Sequence, residues 1–160
     1  MDTVEKHLKV QTQAFVNIYQ EAISPEDCKK IINFINSTEL KPGVMSGGNV
    51  KKANPKIKDS LDTTLNFSDS SFPTKIIKNA LHFCSQDYIK RNYELQKIQE
   101  FGLSDTYNLQ KYNPGQGYHS SHCENAGGSS LMRVLSWMIY LNTVNSGGTT
   151  SFDNYNIQTT

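Results

Sequence analysis

Tyr112-Asn113-Pro114-Gly115-Gln116-Gly117-Tyr118-His119-Ser120-Ser121-His122-Cys123-Glu124 leads into an apolar run, Leu131 to Asn142, and then into Gly147-Gly148-Thr149-Thr150-Ser151-Phe152. In an extended strand residues i and i+2 point to one face. The imidazole of His122 and the carboxylate of Glu124 can therefore converge on one cation while Cys123 faces away, which reads as half of a metal site on a sheet. The same spacing also fits an exposed salt bridge on a strand, and on spacing alone the salt bridge is the stronger reading. His119 lies an odd three positions before His122, on the opposite face of a strand. Its glycine- and tyrosine-rich surroundings do not form the helix that a zinc pair at this offset needs, so it reads as exposed or near the mouth of the site.

Around this stretch the pattern is β. Tyr107 and Leu109 alternate with Asn108 and Gln110, and Leu131 to Asn142 predicts one long strand. In that strand Ser136, Met138 and Tyr140 form a row facing the pocket, and Leu135, Trp137, Ile139 and Leu141 form a row facing the packing layer. Asn145-Ser146-Gly147-Gly148 supplies turn chemistry before Thr149 to Phe152.

Toward the N-terminus the period becomes helical. Phe15 to Tyr19 predicts a strand, and Ser24-Pro25-Glu26-Asp27 supplies a hydroxyl cap, a first-turn proline and early carboxylates. Cys28, Ile31, Ile32 and Ile35 then recur at i, i+3, i+4 and i+7. A second helix is predicted over Thr74 to Asn92, with Ile77, Ala80, Leu81, Cys84 and Tyr88 on its apolar stripe and His82 as a packing or surface histidine. Between the helices, Pro42 to Pro55 is polar and glycine-rich and reads as a long surface loop. Its glycines lack the Gly-Lys-Ser/Thr ending of a phosphate loop. Helices first and strands later predict an α+β arrangement, or a mainly β sandwich supported by helices.

The whole chain bounds what such a site serves. At 160 residues it has room for one domain. Sixteen basic and fifteen acidic residues are interspersed, for a formal charge of +1, which leaves no basic stripe for phosphates and makes nucleic acid an unexpected partner. Met1 to His7 lacks the apolar run of an export signal, and no segment approaches the ~18 apolar residues of a membrane span. The expected location is cytoplasmic. Cys28, Cys84 and Cys123 form no C-x-x-C pair and read as reduced, structural thiols.

The elements Tyr112 to Glu124, Arg133, Tyr140-Leu141-Asn142 and Gly147 to Phe152 resemble, in order and compatible spacing, the Fe(II)- and 2-oxoglutarate-dependent oxygenases of the prolyl 4-hydroxylase type. The specific resemblance covers residues 112–152, about a quarter of the chain. Ile23 to Cys28, opening a helix after a strand, is similar to the way many of these domains begin. The resemblance implies a double-stranded β-helix, or jelly-roll, backed by N-terminal helices. Residues 1–100 would give the helical support and leading strands, and 101–160 the first part of the jelly-roll core.

Carried over by position, His122 and Glu124 match the first two iron ligands of a two-histidine, one-carboxylate set. The family more often has Asp at the second of these, and the longer Glu keeps oxygen ligation of a hard divalent metal. Tyr112, Tyr140 and Thr150 match positions that reach 2-oxoglutarate, and their other reading is ordinary aromatic and hydroxyl packing. Arg133, one of two arginines against fourteen lysines, matches an arginine at the substrate mouth, with Tyr118 beside it, and a surface arginine is its other reading. The implied cofactors are Fe(II) and 2-oxoglutarate, with ascorbate as reductant, and the implied substrate is a prolyl or similar side chain of a peptide, or a small molecule. The family pattern also carries a second histidine downstream and a basic residue for the far carboxylate of 2-oxoglutarate. After Phe152 this sequence has neither a histidine nor a basic residue. The expectation is therefore a C-terminally incomplete oxygenase domain, lacking closing strands and inactive by itself. The alternatives are a degenerate relative and a non-catalytic jelly-roll binding module for glycans or peptides.

Overall fold

The computed structural model describes residues 9–47, 50–98, 100–125 and 127–159. The chain begins with a hairpin, β1 (Lys9–Gln13) against β2 (Val16–Gln20), turned at Ala14 with φ 51°. Helix α1 (Pro25–Ser37) starts where the sequence places it. Ser24 is the cap, its Oγ accepting a hydrogen bond from the Asp27 N–H at 3.1 Å, and Glu26 and Asp27 lie in the first turn, where the helix dipole favours acids. Ser24→Ala is expected to lower the unfolding free energy by about 1 kcal/mol in urea titration. An unchanged midpoint would show that the bond is idle.

Short strands follow: β3 (Lys41–Pro42), β4 (Met45–Gly47), β5 (Val50–Lys52), β6 (Lys58–Asp59) and β7 (Leu61–Asn66). The stretch expected as a loop over 42–55 thus holds an antiparallel β4–β5 hairpin, with Gly47 paired to Val50. Helix α2 (Phe72–Arg91) comes next, then β8 (Thr106–Lys111) and β9 (Gly117–Tyr118), and finally β10 (Thr150–Phe152) and β11 (Ile157–Thr159). A left-handed Asn156, φ 53°, joins the last two. The architecture is mixed α/β: two helices and several small antiparallel sheets, with no closed barrel among the described residues.

The central sheet has the order β3-β7-β8, and its two faces differ in kind. Cross-strand pairs Thr63–Leu109 and Leu65–Tyr107 point one way; Asp62–Gln110 and Thr64–Asn108 point the other. Tyr107 and Leu109 are buried with Ile31 and Ile35 of α1 and Ile77, Ala80 and Leu81 of α2, so the helices cover the first face and the core lies between. Within it, Thr74 Oγ1 and the Tyr107 hydroxyl share a buried hydrogen bond of 2.8 Å. The stripe predicted for α1 holds at Ile31 and Ile35, while Ile32 is only half-buried. His82 on α2 is exposed, its ring edge-on to Phe83.

The hairpin is tied to α2 by side chains. The Tyr19 hydroxyl donates to Asp87 at 3.0 Å, and Tyr88 donates to the Phe15 carbonyl at 2.7 Å. Burial first, and the Asp87 carboxylate after it, push the Tyr19 phenol up to about 12 against the opposing Asn17 hydrogen bond.

One expected strand is not there. From Leu131 to Asn142 the chain joins no ladder, and the backbone from Val134 to Thr149 has no described hydrogen bond to other backbone. The side-chain alternation nevertheless holds. Leu135, Ile139 and Leu141 are half-buried, with Ile139 and Leu141 packed on the core, while Ser136, Met138 and Tyr140 are exposed. Trp137 keeps 37% of its surface exposed but turns its ring inward, 6.2 Å from Phe67 and 6.4 Å from Tyr107. Period-two apolar patterning fixes which side faces the core; a ladder also needs a neighbouring strand, which this segment lacks among the described residues. No described helix is long and apolar enough to cross a membrane.

Candidate functional site

The face of the central sheet away from the helices is polar, and its deepest feature is an ion pair. Lys58 Nζ lies 2.6 Å from Asp62 Oδ2, with the two side chains only 5% and 12% exposed. Ser60 donates to the other Asp62 oxygen at 2.8 Å, and Gln110 Nε2 reaches Oδ2 at 3.4 Å. Residues 58, 60 and 62 share a side because the chain is extended through them. Gly43 closes over the group: a Cβ there would stand 2.2 Å from Ser60 Oγ, so only glycine permits the approach. Sequence reasoning did not find this cluster. Its only trace is the alternation of Lys58, Ser60 and Asp62, which reads as solvent-facing until the fold encloses it.

Above this pair stand three tyrosines. Tyr112 follows β8, and its phenol is pushed up mainly by burial and by the charge of Asp62, with Tyr118 and Tyr140 contributing. Tyr118 sits on β9 opposite Lys58 of β6, and burial and the Glu124 carboxylate push its phenol up. The Tyr140 hydroxyl hydrogen-bonds Thr150 Oγ1 and lies 3.5 Å from Thr159 Oγ1; Thr150 also donates to Met138 Sδ at 3.8 Å. Tyr112, Tyr118, Tyr140 and Thr150, chosen from the sequence, thus lie in one neighbourhood. Tyr112, Tyr118 and Tyr140 each keep more than a third of their surface exposed, as residues bordering an open site would.

His122 and Glu124 lie in an irregular segment, not on the strand expected for them. Their side chains meet all the same: His122 Nε2 is 3.4 Å from Glu124 Oε1, at 43% and 47% exposure. The His122 ring stacks on Tyr118, with centroids 4.0 Å apart and planes 20° from parallel. Its Nδ1 lies 3.0 Å from the Ser120 carbonyl, which can only accept, so Nδ1 carries the proton. In the neutral ring Nε2 is then left without a proton, 3.4 Å from a carboxylate oxygen. At that separation, with both side chains nearly half-exposed, the two groups can share a proton, a water or a metal ion. Donors bound to one divalent ion at roughly 2.1 Å stand about 3.0 to 3.4 Å apart at octahedral to tetrahedral angles. The pair therefore fits two adjacent coordination positions. Among the described residues, no group of three or more His, Cys, Asp or Glu could hold a metal ion.

Arg133 is placed on Glu124, with Nη1 donating to Oε2 at 2.7 Å and to the Glu124 carbonyl at 3.3 Å. Ser121 donates to Asp153 Oδ2 at 2.8 Å, fastening the segment to the turn after β10. His119 is exposed; its backbone N–H bonds the Ile57 carbonyl at 2.7 Å and its imidazole lies over Gly117. Cys123 is exposed and Cys28 and Cys84 are half-buried, and none of the three is in a disulfide. Comparison of the chain with protein-family models, with curated proteins and with solved structures gives no match.

Proposed function

We propose that the chain is the core of a 2-oxoglutarate- and Fe(II)-dependent dioxygenase that hydroxylates a prolyl or similar side chain of a peptide, on a jelly-roll framework of which the central sheet is one wall. The observation that carries this reading is the approach of His122 Nε2 to Glu124 Oε1, 3.4 Å apart, with Nδ1 already committed to a carbonyl. Fixing the distal nitrogen in this way is how a protein prepares an imidazole for a metal. A bare surface ion pair needs no such arrangement and contributes only about 0–1 kcal/mol.

His122 and Glu124 would hold Fe(II), and iron with 2-oxoglutarate supplies the oxidising chemistry when bound. The chain's own residues bind and orient. Tyr112, Tyr140 and Thr150 present hydroxyls that could donate to the carboxylates of 2-oxoglutarate, and Tyr118, stacked on the His122 ring, would fix the plane of the imidazole. Ascorbate serves as reductant in this reading. The third protein ligand and the basic partner of the far carboxylate have no counterpart in the sequence after Phe152.

Anaerobic Fe(II) titration by calorimetry tests the proposal. Binding with near-unit stoichiometry, weakened at least tenfold by His122→Ala, is expected. Binding that His122→Ala leaves unchanged would transfer the chain to the non-catalytic module, with His122 and Glu124 as plain polar contacts.

A further inference from the structure

Between the first hairpin and the last strand lies a cleft of about 300 Å³, lined chiefly by Gln11 and Gln13 of β1, Val16 and Ile18 of β2, and Ile157 and Gln158 of β11. We propose that this cleft binds a stretch of extended, uncharged polypeptide. The carboxamides of Gln11, Gln13 and Gln158 pair with its peptide groups, and Val16, Ile18 and Ile157 receive its side chains.

The register of the first hairpin explains why these residues are together. Gln11 stands opposite Ile18 and Gln13 opposite Val16, so the four share one face. Asn17 and Tyr19 turn to the other face, where the Tyr19 hydroxyl donates to Asp87 of α2 at 3.0 Å. With one face fixed on the helix, the other is left to the cleft. The tips of the two hairpins touch: the Phe15 ring, at the first turn, meets Tyr155, in the turn between β10 and β11, edge-on at 6.3 Å. Both walls are thus held before a ligand arrives, as in most binding clefts.

The lining selects the ligand. Charged residues make up 19% of the chain, yet no charged side chain lines the cleft. An ion placed there would lose hydration and find no opposite charge. A carboxamide carries both donor and acceptor, the same pair that a peptide group offers. Gln11 and Gln13, two residues apart on one strand, recur at about 6.8 Å, which is also the repeat at which an extended chain presents successive peptide groups to one side. Among the described residues the Gln11 and Gln13 side chains have no hydrogen-bond partner, and Gln158 commits only its Nε2, to Ser151 Oγ at 3.3 Å. A glycan suits the cleft less well, because no aromatic ring lines it for a sugar face to stack on.

The ligand class is read from the cleft alone and needs no metal. The dioxygenase reading adds one step that rests on it: the bound segment would be a remote part of the peptide to be hydroxylated. Ser121, beside His122, donates to Asp153 in the turn that leads to β11, so the cleft wall and the His122 segment are fastened together.

The test is a nuclear magnetic resonance titration of the whole chain, without metal or 2-oxoglutarate, with a short capped peptide of alternating serine and valine. Saturable shifts of the Gln11, Gln13 and Gln158 side-chain amide signals and of the Ile157 methyl signals are expected. Gln11→Glu combined with Gln13→Glu keeps the side-chain shape but removes the donors, and should weaken binding about tenfold. The melting temperature should hold, since both positions are exposed; if it falls, Gln11→Ala with Gln13→Ala carries the comparison. Shifts that do not saturate, or that scatter beyond the cleft, overturn the proposal, as does a double variant that binds like the parent. An oligosaccharide, or a peptide bearing lysine or glutamate at alternate positions, that moves the same signals at lower concentration overturns the assignment to neutral polypeptide. Failure of this titration leaves the dioxygenase reading standing, and failure of Fe(II) to bind leaves the cleft standing.

Discussion

Replacing Asp62 by alanine is expected to destabilise the protein by about 3–5 kcal/mol, because it strands a charge that the fold has taken out of water. Lys58 Nζ, on a side chain 5% exposed, has Asp62 Oδ2 at 2.6 Å as its partner, and Ser60 Oγ donates to the same carboxylate. Gly43 packs so closely on Ser60 that the ammonium has little room to swing outward. Chemical denaturation followed by circular dichroism measures the loss, and a change below about 1 kcal/mol would mean that water reaches Lys58 as freely as in an exposed pair. A double replacement, Lys58→Met with Asp62→Leu, is expected to recover most of the loss. Well-packed apolar groups of similar volume commonly match a buried ion pair in stability.

Ile31→Ala should produce a loss of similar size by a different route. Ile31 is 0% exposed and belongs to the cluster of Ile35, Ile77, Leu81 and Leu109 that joins both helices to the sheet. Removing most of its side chain forfeits its transfer free energy and leaves a cavity, together about 2–5 kcal/mol. Ile31→Val, which removes one methylene, should lose about 0.5–1.5 kcal/mol. Equilibrium unfolding of the two variants checks the grading. Alanine within about 0.5 kcal/mol of the parent would mean that the helices close over the vacancy, with Ile31 no keystone of the core.

The helices were legible because their signals are local. Ser24-Pro25-Glu26-Asp27 marks the start of α1, and the stripe from Ile77 to Leu81 identifies the buried side of α2. Strand β8 was equally plain from Tyr107 and Leu109. Strand β7, the middle of the sheet, was not. Its inward positions are Leu61, Thr63 and Leu65, and a threonine among them, with Asp62 and Thr64 between, blurs the alternation. Strands β1 and β2 are mostly polar or half-buried, so the first of them left no apolar signature. The run from Leu131 to Asn142 misled in the opposite sense: its alternation assigns sides correctly, but pairing depends on a partner that composition does not reveal. At the site, the meeting of His122 with Glu124 was legible from their spacing, although an irregular segment, and not a strand, achieves it. The Ser120 carbonyl behind His122 was invisible, since any residue type supplies one.

The two-faced central sheet sets how this protein can change. Positions facing the helices, such as Leu65, Tyr107 and Leu109, answer to folding, while Thr64 and Asn108, linked by a 2.8 Å hydrogen bond on the opposite side, bear no such duty. Parity along β7 and β8 therefore separates two kinds of tolerance within the same few residues. A combinatorial library confined to the outward parity, sparing Asp62, would diversify recognition on an unaltered chassis, and lineages drifting under new selection have the same route open to them.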